Sequence, residues 1–145
     1  MSERLKMRTL ARRAALACCL VVVAGYLSNV VTRPYCERDA MRGILAEMAG
    51  GQPVSVPIYV LPETAGRSER ALAGLDVATI RCQKTGRDFD CFPWASVETS
   101  IAVPFLLVVR SEHVLFTTSG GGNQKTVLAL FGARMTVRER GMWVA

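Results

Sequence analysis

Hydrophobic and polar positions follow three regimes along this chain. Residues 14–31, AALACCLVVVAGYLSNVV, carry no charge, and eighteen helical residues at about 1.5 Å each reach about 27 Å, close to the hydrocarbon thickness of a bilayer. Over residues 32–51 the pattern changes to apolar positions at helical spacing, Met41, Ile44, Leu45 and Met48, which predicts a helix with one buried stripe. Pro34 suits its first turn, Glu37 and Asp39 complement its positive end, and Gly50-Gly51 stop it. Gly43 inside it lowers its intrinsic stability, so this helix depends on packing.

Beyond residue 51 the period shortens to that of strands. Val54, Val56, Ile58 and Val60 share one face of a run at 52–61, and Pro53 and Pro57 place that run at a sheet edge. Residues 62–70 read as a polar loop, and 68–75 as a short helix capped by Ser68. Strands are expected at 77–83 and 89–95, joined by a turn at Gly86-Arg87 that pairs Thr85 with Asp88, Lys84 with Phe89 and Cys82 with Cys91. Cys82 and Cys91 are then a non-hydrogen-bonded pair, close enough for a disulfide. The run at 100–110, SIAVPFLLVVR, reads as one buried strand bent at Pro104. Strands at 113–118 and 126–131 flank a Gly-rich loop, and two more, at 135–138 and 142–144, close the chain around Arg140-Gly141. The expected fold is α+β: a membrane helix, then one helix packed on a largely antiparallel sheet of about five to seven strands. The domains are a basic head (1–13), the anchor (14–31) and an exported domain (32–145).

Charge refines this picture. The chain carries 18 Lys and Arg against 12 Asp and Glu. Five of the basic residues, Arg4, Lys6, Arg8, Arg12 and Arg13, precede the apolar stretch against a single Glu3, leaving a net of +2 on the remainder. That asymmetry keeps the N-terminus cytoplasmic and puts the domain outside. It also removes the case for a nucleic-acid partner, because no basic patch interleaved with aromatics remains. Arg outnumbers Lys by 15 to 3, which points to a GC-rich bacterial genome and hence a periplasmic domain at the inner membrane, where disulfides persist. The competing reading is a signal peptide cleaved near Gly25, with a free periplasmic domain. Leu16-Ala17-Cys18-Cys19 resembles a lipobox, but the residue before the acylated Cys is not small and the preceding apolar run is short. Cys18 and Cys19 read as lipid-packed side chains, with palmitoylation as the alternative.

Candidate chemistry is sparse. Ser119–Thr126, SGGGNQKT, lacks Gly at 119 and 124 and leads into a strand, which excludes a phosphate loop. His113 is the only histidine, so it would be the base in any Ser or Cys pairing, and Asp88 with Asp90 would share a strand face as paired carboxylates. No CxxC accompanies the single His, so neither a metal nor another cofactor is expected. Arg134, Arg138, Glu139 and Arg140 read as a solvated edge that discourages aggregation. Cys36 is left unpaired, either buried or linking two copies across the membrane surface, and Trp94 and Trp143 are core residues or anchors of a partner surface.

The layout is similar to that of type IV pilins and pseudopilins: a short basic leader, an apolar N-terminal helix and a small sheet often closed by a disulfide. The resemblance implies a filament subunit cut near Met7, although Lys6-Met7-Arg8-Thr9-Leu10 has neither the Gly nor the Glu of that processing site. The reading favoured by the residues is a non-catalytic, membrane-tethered accessory or assembly module with a protein partner, homo-oligomeric or otherwise. Its alternatives are a small hydrolase-like periplasmic enzyme and a pilin-like subunit.

Overall fold

The computed structural model describes residues 2–50, 55–85, 88–89, 91–116, 121–131 and 133–142 of the 145-residue chain. Its first element, α1 (Ser2–Ala49), is a single helix of 48 residues. The expected boundary between an anchor and a second helix at residue 32 does not exist. Pro34 lies inside the helix, where it removes one amide donor. Packing of the residues beyond it, Cys36, Met41, Ile44 and Leu45, into the core holds the helix there.

The stripe on α1 behaves as its spacing predicts. Met41, Ile44 and Leu45 are buried, Met48 packs partly against them, and Cys36 joins the same core. Across from them lie Ile58, Val60, Leu72, Val97, Leu107 and Val109. Each such side chain fully buried contributes about 1.5–3 kcal/mol. In contrast Leu16, Leu20, Leu27, Val30 and Val31 are exposed. One half of α1 is therefore a core helix and the other is an uncovered apolar rod.

After α1 come β1 (Ile58–Val60), α2 (Ala65–Leu72), β2 (Thr79–Arg81), the two-residue strands β3 (Lys84–Thr85) and β4 (Asp88–Phe89), and then β5 (Trp94–Val103), β6 (Leu106–Phe116), β7 (Gly121–Leu130) and β8 (Ala133–Met142). Six of them form one mixed sheet in the order β2-β1-β5-β6-β7-β8. β5 to β8 make an antiparallel meander, while β1 runs parallel to both β2 and β5. The fold is α+β.

Several local expectations are corrected. β1 is an interior strand, not an edge: Pro57 precedes it, so the amide that proline lacks is not required by the ladder. The helix α2 starts three residues earlier than Ser68, which is buried inside it and accepts a bond from Val97 N (3.2 Å). β2 pairs with β1 instead of with residues 89–95, so the hairpin shrinks to β3 and β4, with Lys84 opposite Phe89 and Thr85 opposite Asp88. The apolar run at 100–110 is a hairpin, not a bent strand: Val103 faces Leu106 across Pro104-Phe105. Pro104 suits the first turn position and Phe105 takes the second with φ 68°, a place normally held by Gly or Asn. β7 begins at Gly121, within the expected loop, and β8 runs unbroken through Arg140-Gly141.

Candidate functional site

The most distinctive geometry lies where the rod meets the sheet. Phe105 N donates to Gly25 O at 3.3 Å, and Phe131 N donates to Phe105 O at 3.3 Å. Asn29, buried in the contact, donates from Nδ2 to Val103 O at 3.1 Å. The rings of Phe105 and Phe131 stack with centroids 4.4 Å apart. Gly25 is required here, since a Cβ on it would come within 2.6 Å of Pro104 Cβ and 2.7 Å of Phe105 Cε2. The β5–β6 tip thus closes on the helix at a point inside the uncharged stretch, and the β7–β8 tip packs on the β5–β6 tip through Phe131.

Higher on α1, polar pairs tie helix to sheet. Glu37 is buried, accepts from Arg33 Nε at 2.9 Å and also accepts from Thr99 Oγ1. Asp39 pairs with Arg134. Glu47 pairs with Lys125 Nζ at 3.2 Å, and Lys125 reaches Glu139 at 2.8 Å. These two carboxylates raise the Lys125 pKa. At the β2 edge of the sheet Arg81 grips Glu69 through two bonds of 2.6 and 2.9 Å, which lowers the Glu69 pKa.

A cleft of about 300 Å³ opens between α1 and the β6–β8 surface, lined by Cys36, Asp39, Lys125, Val127, Arg134 and Thr136 among others. Its charged groups are already paired with one another or with Glu47 and Glu139. A second cleft, of about 240 Å³, gathers Arg33, Arg38 and Arg70 around Glu37.

The sequence candidates fall in separate places. Cys82 and Cys91 are joined in a disulfide with Cα atoms 5.7 Å apart, beneath Leu61 and against Tyr59 and Trp94. The Cys82 amide bonds Val60 O at 2.9 Å, outside the β3–β4 ladder. Trp94 is half-buried against this cluster. Cys36 is 6% exposed, and burial pushes its thiol pKa up while Arg134 opposes the shift. It is a core thiol, not one presented to a second copy. His113 is 5% exposed on β6 between Ala95 and Asn123. Burial lowers its pKa against the pull of Glu47, and among the described residues no hydroxyl or thiol is hydrogen-bonded to its ring. Asp88 lies on β4, while Asp90 and Trp143 lie outside the described residues. Among the described residues no group of three His, Cys, Asp or Glu side chains could hold a metal ion.

Sequence reasoning missed Gly25, Asn29, Phe105 and Phe131. The only local signals were the Gly and Asn interrupting an apolar span and a Pro-aromatic pair inside an apolar run. No family model, curated protein or solved structure matches the chain.

Proposed function

We propose that this chain is a membrane-tethered module on the periplasmic side of a bacterial inner membrane, acting without catalysis as an accessory to, or a scaffold in, assembly with another protein. The observation that carries this reading is the continuity of α1. Its exposed apolar half passes without a linker into the helix that lines one side of the core, so the sheet is held at a fixed height and orientation. The disulfide suits an oxidising compartment. The edge strand β8, with Met135 and Val137 exposed, offers an unpaired backbone for a partner. The enzyme reading rests on His113, which is buried and, among the described residues, bonded to no hydroxyl or thiol. A pilin-like filament subunit is the second reading, favoured by the same half-exposed, half-packed helix.

The test is intact mass and fractionation of the full chain expressed in a bacterial host. Full-length protein in the membrane fraction, lighter by two hydrogens until reduced, supports the tethered module. Mass starting near Gly25 in the soluble fraction overturns it, and cleavage near Met7 with polymerisation moves the reading to a filament subunit.

A further inference from the structure

The β5–β6 tip, with the β7–β8 tip packed against it, meets α1 at Gly25, six residues below the end of the uncharged stretch at Val31, or about 9 Å along the helix axis. If the bilayer ended below that contact, only residues 14–24 would remain to cross it. That is about 17 Å of helix against about 30 Å of hydrocarbon. The side of α1 facing away from the tips is also apolar at this height, with Leu27, Val30 and Val31 all exposed. A membrane that covers these residues also covers what is docked beside them.

We infer that the β5–β6 and β7–β8 tips are a second membrane contact, seated in the outer leaflet of the bilayer beside the spanning helix. This rests on the tethered reading above. The tips have the composition for it: Val103, Leu130 and Phe131 are exposed, Phe131 at 67%, and no charged residue occurs in 101–109 or 127–131. Their backbone is unusual in the same direction. Phe105 and Phe131 have φ of 68° and 50°, a conformation rarely taken by bulky residues. Turns ordinarily use Gly or Asn there; here the positions present apolar Phe side chains, which transfer favourably into a bilayer.

Apart from Arg134, which stands opposite Ala129 and pairs with Asp39, the first cations lie above this apolar band. Arg33 is eight residues beyond Gly25, about 12 Å along the axis. It shares a cleft with Arg38 and Arg70, at the level where phosphate headgroups would meet them. The strand climbs beside the helix in step. Asn29 bonds Val103 and Glu37 bonds Thr99, so eight helix residues (about 12 Å) match four strand residues (about 13 Å).

The test is nitroxide labelling of the full chain reconstituted in phosphatidylcholine–phosphatidylglycerol vesicles. Cys18, Cys19 and Cys36 are replaced by Ala and the disulfide is kept. Single labels are placed through Phe131→Cys and, in case that change loosens the turn, Val103→Cys. Leu20→Cys reports the spanning helix and Arg138→Cys the aqueous domain. The expected result is that labels at 131 and 103 collide readily with oxygen and are shielded several-fold from a water-soluble nickel chelate, as at 20 and unlike 138. Nickel access at 131 and 103 with shielding at 20 overturns the inference and leaves the anchor standing. Nickel access at 20 as well overturns the tethered reading itself. Protection from both reagents at 131 and 103 overturns the inference in favour of contact with a second copy.

Discussion

Gly25 and Phe105 are in backbone contact across 80 residues of chain, the Phe105 amide donating to the Gly25 carbonyl at 3.3 Å with no room for a methyl group between them. A Gly to Ala change inside a helix ordinarily stabilises by about 1 kcal/mol. At Gly25 that gain is opposed by overlap with Pro104 and the Phe105 ring, and overpacking of this kind costs about 1–3 kcal/mol. We expect Gly25→Ala to destabilise by up to about 2 kcal/mol in detergent-solubilised protein. Gly43→Ala, on the same helix with nothing within 4 Å, should stabilise by about 1 kcal/mol. Thermal unfolding of the two variants checks the contrast, and a stabilised Gly25→Ala would mean that the tip does not dock there.

Glu37 has a buried carboxylate held by Arg33 and Thr99. Removing it by Glu37→Ala leaves Thr99 without its acceptor, while Arg33, 34% exposed, can turn to water. We therefore expect a loss of about 2 kcal/mol, below the range for a fully buried pair. Thr99→Val should cost about 1 kcal/mol. Because the two residues share one bond, the double variant should cost less than the sum, by about 1 kcal/mol. Strict additivity in denaturant melts would remove the interaction.

The Cys82–Cys91 bridge closes a short loop around β3 and β4, strands of two residues each. Loops of this size gain about 2–3 kcal/mol from cross-linking. The paired change Cys82→Ser with Cys91→Ser should lower the melting temperature and expose residues around the bridge to proteolysis, while α1 and the β5–β8 meander keep their protection. Protease mapping with and without reductant measures this. Equal cleavage in both conditions would show that the bridge does not order this region.

Local patterns reached the structure and nonlocal ones did not. Met41, Ile44, Leu45 and Met48 became the core stripe because helical period is a property of adjacent residues. Opposition of Lys84 to Phe89 followed from turn length alone. The turn at Pro104-Phe105 was illegible because its second position holds an aromatic where turn chemistry asks for Gly or Asn. Continuity of α1 through Pro34 was hidden for a related reason. Proline penalises a helix locally, and the packing that outweighs it comes from strands far along the chain. Asn29 and Gly25 interrupt an apolar span. They are the two positions through which that span holds the sheet.

His113 gives the domain a built-in acid sensitivity whose sign follows from its surroundings. It lies on β6 between Ala95 of β5 and Asn123 of β7, with Glu47 of α1 as the nearby charge. Burial disfavours the imidazolium and lowers the pKa, and Glu47 only partly offsets this. The unfolded chain therefore binds a proton at higher pH than the folded one. The stability associated with the neutral ring is full above the unfolded value, about 6.5, and declines as pH falls from there toward the folded value. His113→Gln cannot take up that proton, so its melting temperature should fall less between pH 7.5 and 5.5 than that of the parent chain. Carboxylates titrate mainly below this window and affect both proteins alike. Parallel curves for the two across pH 7.5 to 5.5 would show that His113 does not meet the buried environment described for it.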